Sequence, residues 1–122
     1  SSVILRKDRP DAVVCYNDMV AIGFMSVAKS LGVEIPADMS VVGIDNIPFG
    51  RFTSPALTTV DTQSERLGEE AMQLLFRQIA GENPPDISHV LLEPRLVMRD
   101  STAPRLPVAA AAPPPKARKR AR

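Results

Sequence analysis

The sequence predicts an α/β fold built from parallel βαβ units, and three observations carry that expectation. Two short apolar runs, AVVCY over 12–16 and SVVGI over 40–44, are continuous rather than alternating. Unbroken apolar strands suit a sheet covered on both faces. Between them, Val20, Ala21, Phe24, Met25, Ala28 and Leu31 recur at spacings of three and four, the period of an amphipathic helix. The third observation is compositional. Hydrophobic residues make up 44% of the 122 residues but aromatics only 4%, with no Trp. The core material is aliphatic, as packed helices and parallel strands require.

The elements follow in order. Pro10 and Asp11 lead into the first strand, and Asn17 ends it. Asn is a good helix N-cap, and Asp18 suits the positive first turn of a helix over 18–31. Gly32 stands at the position that stops the helix. Residues 33–39 form a loop containing Pro36, and the second strand follows at 40–44. The stretch DNIPFGRFTSP over 45–55 is turn-rich, and residues 57–60 are a third short strand. Residues 63–79 predict a second amphipathic helix, with Leu67, Ala71, Leu74, Leu75 and Ile79 toward a core. Residues 89–92 and 96–99 read as strand segments broken by Pro94, which points to an edge or a bulge. From Ala103 the composition shifts to Pro, Ala and basic residues, so residues 105–122 are expected to be a disordered tail.

Charge is unevenly placed. Net charge is +1, yet six Lys/Arg and no acid lie beyond residue 104, leaving nine bases against 14 acids in residues 1–104. That acidic body is a poor surface for nucleic acid. The single cysteine, Cys15, excludes an internal disulfide and a multi-cysteine zinc site, and its apolar setting fits a buried thiol. No apolar run approaches the roughly 18 residues of a membrane helix, and no signal sequence is visible, so a cytoplasmic protein without membrane partners is expected. His89 is the lone histidine, and neither a phosphate loop nor a metal-ligand spacing occurs. No catalytic residue, metal or cofactor is assigned, and an enzyme is not expected.

The polar residues worth attention stand where the strands end. In an open parallel sheet, ligands bind beyond the carboxyl ends of the strands. The first strand ends in Asn17-Asp18 and the second in Asp45-Asn46. Carboxylates and carboxamides offer the fixed hydrogen-bonding geometry that a hydroxyl-rich ligand such as a sugar or nucleoside uses. The same residues are also ordinary capping and turn chemistry, so pattern alone leaves both readings open. Phe49 and Phe52 sit in the turn-rich loop, either as core filling or as part of a subunit contact.

A resemblance to a known family then enters. CYNDMVAIG over 15–23, LGVEI over 31–35, PADMSVVGID over 36–45, NIPFGRFTSPALTTV over 46–60 and EPRLVMRDST over 93–102 together closely resemble the lac-repressor/galactose-repressor (LacI/GalR) regulators. The resemblance spans about residues 9–104, in order and with matching spacing. It implies a periplasmic-binding-protein-like sensor over 1–104, incomplete in this chain. A small effector, in such proteins usually a sugar or nucleobase and here expected to be a sugar or sugar derivative, would bind between two lobes of a homodimeric transcription repressor. By position, Asn17 and Asp45 resemble the family's effector-contacting residues, with Asp18 and Asn46 as further candidates. Helix residues Ala21, Phe24, Met25 and Ala28, with Phe49 and Phe52, resemble its dimer surface. Operator DNA would be met only through a helix-turn-helix outside this chain. One departure stands out: many members carry glutamine where this sequence has Thr62, and Gln63 follows one residue later.

Two other readings remain beside it. A periplasmic sugar-binding transport protein shares the architecture, and a truncated remnant would bind nothing. The NDMVAIG and VVGIDNIPFGRFTSPALTTV segments favour the regulator.

Overall fold

The computed structural model describes residue 4, residues 8–82 and residues 89–104. The tail expected over 105–122 lies outside the described residues. Four strands form one mixed sheet in the order β1-β2-β3-β4. They are β1 (Ala12–Val14), β2 (Ser40–Ile44), β3 (Thr58–Asp61) and β4 (Arg95–Val97), with helices α1 (Asp18–Ser30) and α2 (Ser64–Ile79). β1, β2 and β3 run parallel, in register Val14 with Val42 and Val42 with Thr58. β4 returns antiparallel, Val60 opposite Leu96.

Helix α1 is delimited as its sequence demands. The Asn17 side chain caps it by accepting the Val20 amide at 2.9 Å. At the other end Gly32 takes φ +73°, a left-handed conformation that costs glycine little. The Gly32 amide bonds Lys29 O and the Val33 amide bonds Ala28 O. This paired closure satisfies two carbonyls of the last turn, and Val33 is buried beside Ala28.

The core lies between α1 and one face of the sheet. Cys15, Ala21, Met25, Val41 and Leu57 form one cluster, and Ile4, Ala28, Val33 and Met39 a second. Val13, Phe24 and Ile35 pack against both. The opposite face is open at β1, where Val14 is 70% exposed.

Two expectations are corrected. Residues 89–92 are not a strand; only Arg95–Val97 pairs, because Pro94 has no N–H to give a ladder. The second correction concerns α2. It is strongly amphipathic, yet none of its residues is buried. Leu67, Ala71, Leu75 and Ile79 are exposed and Leu74 is half-buried. Periodicity specifies which face is apolar and says nothing of what covers it, and no layer among the described residues does so.

Candidate functional site

The carboxyl ends of β1 and β2 are drawn together by Asp18. This residue opens α1 and is fully buried. One carboxylate oxygen accepts the Ile47 amide at 2.8 Å, and the other accepts the Thr59 hydroxyl at 2.5 Å. The first turn of α1, the loop after β2 and the middle of β3 therefore meet on one side chain. Gly43 makes room for it. A Cβ at Gly43 would overlap the Asp18 carboxylate and press on Leu57. The helix N-terminus adds a favourable dipole for the buried carboxylate.

The loop after β2 is held in an unusual conformation. Asp45 has φ 109° and Asn46 φ 53°, both left-handed and both non-glycine. Such residues persist when their surroundings over-determine them. The Asp45 amide bonds Val60 O at 2.8 Å, and the Asn46 amide bonds the Thr59 hydroxyl at 3.3 Å. The Asn46 side chain donates to Asp61 Oδ2 at 3.2 Å and accepts from Arg99 Nη2 at 2.6 Å. The Asp45 carboxylate is exposed and makes no hydrogen bond or ion pair among the described residues.

The four polar residues named from the sequence thus stand at adjoining strand ends with different duties. Asn17 spends Oδ1 on its cap and is half-buried. Asp18 and Asn46 are engaged with the protein. Asp45 alone presents an uncommitted carboxylate. Sequence reasoning missed Thr59, Asp61, Arg99 and Gly43. Its available signal was the polar pair Thr58-Thr59 inside a buried strand: both threonines are buried, and both hydroxyls are bonded.

The surface residues named from the sequence divide as well. Phe49 and Phe52 are 68% and 82% exposed. Ala21, Met25 and Ala28 are instead buried in the chain's own core, so their side chains are not available to a second subunit. Phe24 is half-buried and packs against the same core. This corrects the expectation for those helix positions: the apolar stripe they form is the one that faces the sheet. The outward face of α1 carries Val20 and Val27 instead.

The Cys15 thiol is buried, and desolvation pushes its pKa above the ordinary value. A groove of about 730 Å³ lies beside the C-terminal half of α1, against Ile35, Pro36 and Pro55, away from the strand-end residues. Among the described residues no group of side chains could hold a metal ion, and no helix is long and apolar enough to cross a membrane.

A family model for the periplasmic binding protein-like domain matches residues 2–102. The chain belongs to that family, in its LacI/GalR branch. It is 42% identical over 103 residues to the HTH-type transcriptional repressor PurR of Proteus mirabilis (strain HI4320), covering 84% of this chain and 30% of the relative. A LacI-type transcription regulator from Bifidobacterium animalis subsp. lactis superposes with TM-score 0.72 at 34% identity, over 78% of this chain and 34% of that one. A LacI family regulator from Arthrobacter sp. FB24, solved in complex with lactose, gives TM-score 0.69 at 34% identity, over 76% and 36%. The chain thus spans about 30% of the length of the curated relatives it matches. These LacI/GalR relatives are transcriptional regulators, and α1 and α2 here are separated by β2 and β3 rather than by the short turn of a helix-turn-helix.

Proposed function

We propose that this chain is an effector-sensing part of a cytoplasmic, DNA-binding transcriptional repressor, and that its effector is a sugar or a similar hydroxyl-rich molecule. The observation that carries the proposal is Asp45. Its carboxylate stands exposed at the carboxyl end of β2, without an internal partner, on a backbone held in a left-handed conformation. A carboxylate accepts two or more hydrogen bonds and suits vicinal hydroxyls. Asn17, at the end of the adjoining strand, keeps its amide NH2 for the same ligand. Asp18 and Asn46 hold these two in place, from positions beside the ligand. The lactose complex of the Arthrobacter relative supports the ligand class.

Operator DNA is met through a helix-turn-helix, a motif that does not occur among the described residues. Two copies pair through the exposed Phe49 and Phe52 and the outward face of α1 at Val20 and Val27. Ligand then acts by binding one arrangement of the dimer better than another, which shifts their populations.

Calorimetric titration of the native protein with lactose, cellobiose and D-xylulose, with and without Asp45→Ala, tests the site. Saturable binding that Asp45→Ala weakens by about ten-fold or more is expected, the scale of a lost hydrogen bond to a charged group. Binding that Asp45→Ala leaves untouched moves the site elsewhere.

A further inference from the structure

The Asp45 carboxylate has no bond of its own among the described residues, so its aim is set by the backbone that carries it. That backbone continues into Asn46, whose side chain is a crossbar with both ends tied. Its oxygen accepts from Arg99 Nη2 at 2.6 Å and its amide nitrogen donates to Asp61 Oδ2 at 3.2 Å. A guanidinium only donates and a carboxylate only accepts, so this pair fixes the amide in one orientation.

Arg99 is well placed to hold its end. Its amide bonds the Thr58 hydroxyl at 2.9 Å, and its Nη1 donates to Leu57 O at 2.7 Å. The guanidinium therefore bridges the start of β3 and the loop after β2, beside Gly50 in the intervening turn. It makes no ion pair among the described residues and spends two donors on neutral oxygens. The planar fork reaches two separate acceptors at once; a lysine ammonium on its flexible stem does not reproduce that geometry.

We infer that Arg99 is a positioning residue for the ligand site: through Asn46 it sets the direction of the Asp45 carboxylate. The inference rests on the proposed role of Asp45. It makes the segment after β4 part of the ligand site without touching the ligand.

The test uses the native protein that carries this chain, with Arg99→Lys, Asn46→Ala and their combination. Amide hydrogen exchange is read by mass spectrometry over peptides spanning 44–48 and, as reference, 11–16. The Asp45, Asn46 and Ile47 amides are all bonded, so the first peptide reports the loop directly. Arg99→Lys is expected to speed exchange over 44–48 by about ten-fold, the scale of one lost hydrogen bond, with 11–16 unchanged. Asn46→Ala, which removes both ends of the crossbar but keeps the Arg99 bond to Leu57, accelerates exchange at least as much, and adding Arg99→Lys to it adds nothing further. Affinity for lactose, cellobiose or D-xylulose, whichever binds, falls by a similar factor in Arg99→Lys.

Exchange over 44–48 that stays at the wild-type rate overturns the inference, and so does acceleration spread equally over both peptides. If Asp45→Ala abolishes sugar binding while Arg99→Lys keeps wild-type affinity, the ligand site stands and the role of Arg99 falls. If no sugar binds the wild type, the sugar-site proposal fails, and exchange over 44–48 decides the role of Arg99 by itself. Should Arg99→Lys not fold, Asn46→Ala decides in its place: unchanged exchange there overturns the inference.

Discussion

Asp18 and Thr59, 41 residues apart in sequence, share a buried hydrogen bond of 2.5 Å that ties the first turn of α1 to β3. Thr59→Val keeps the shape and removes the donor, leaving a buried carboxylate oxygen without a partner. The expected loss is about 2–3 kcal/mol of unfolding free energy, measured by urea denaturation. A variant as stable as the parent would mean that the hydroxyl contributes nothing.

Gly43→Ala is expected to destabilise the fold by about 1–3 kcal/mol, the usual range for overpacking, because its methyl would overlap the Asp18 carboxylate. The diagnosis is checked in a double-mutant cycle. Combined with Asp18→Ala, Gly43→Ala should cost much less than alone, since the atoms it strikes are gone. Additive losses would place the strain elsewhere.

Asp45→Gly separates stability from binding. At φ 109° glycine relieves a strain of about 1–3 kcal/mol, partly offset by the freedom glycine gains in the unfolded chain. The chain should melt at least as high as the parent while sugar binding is lost. A drop in melting temperature would show that the Asp45 side chain stabilises the fold.

Burial raises the Cys15 pKa, so the folded state holds the thiol proton more tightly than the unfolded chain does. The resulting stability is complete below the ordinary thiol pKa and is lost as pH rises through the folded value. Unfolding free energy should therefore fall with alkaline pH more steeply in the parent than in Cys15→Ala. Parallel pH profiles would count against it. Alkylation of the thiol should likewise be slow until the chain unfolds.

The apolar face of α2 is open to solvent. Leu67, Leu75 and Ile79 are 55%, 47% and 72% exposed. This 122-residue chain by itself should be marginally stable and self-associate. Leu75→Glu with Ile79→Lys should reduce that association, seen as a lower mass by light scattering at equal concentration. The same pair should leave stability within about 0.5 kcal/mol, as surface changes do.

Much of the fold was legible because its cues are local. Asn17 before an apolar period and Gly32 after it delimit α1 to within a residue, and both make the bonds their types predict. The unbroken apolar runs marked β1 and β2, and polar pairs at their ends marked the candidate site. What stayed hidden depends on distant partners. Asp18 looks like any first-turn acid until Thr59 and Ile47 are brought to it. Arg99 carries no local signal, since its acceptors lie at Leu57 and Asn46. Ala21, Met25 and Ala28 show a stripe but not its partner, and α2 shows one with no partner among the described residues.

The segment after β4 has a further consequence. The Ser101 hydroxyl accepts the Thr58 amide at 2.8 Å and donates to Val41 O at 2.6 Å, while the Val41 amide bonds Ser101 O. A residue near the end of the domain thus fills the gap between the amino ends of β2 and β3, 60 positions after Val41. A ribosome making this chain releases both strands well before the residue that joins them. The seam between β2 and β3 stays incomplete until that late arrival, and a nascent chain stalled before Ser101 leaves three backbone groups, the Thr58 amide and the Val41 amide and carbonyl, without the partner that the finished domain gives them.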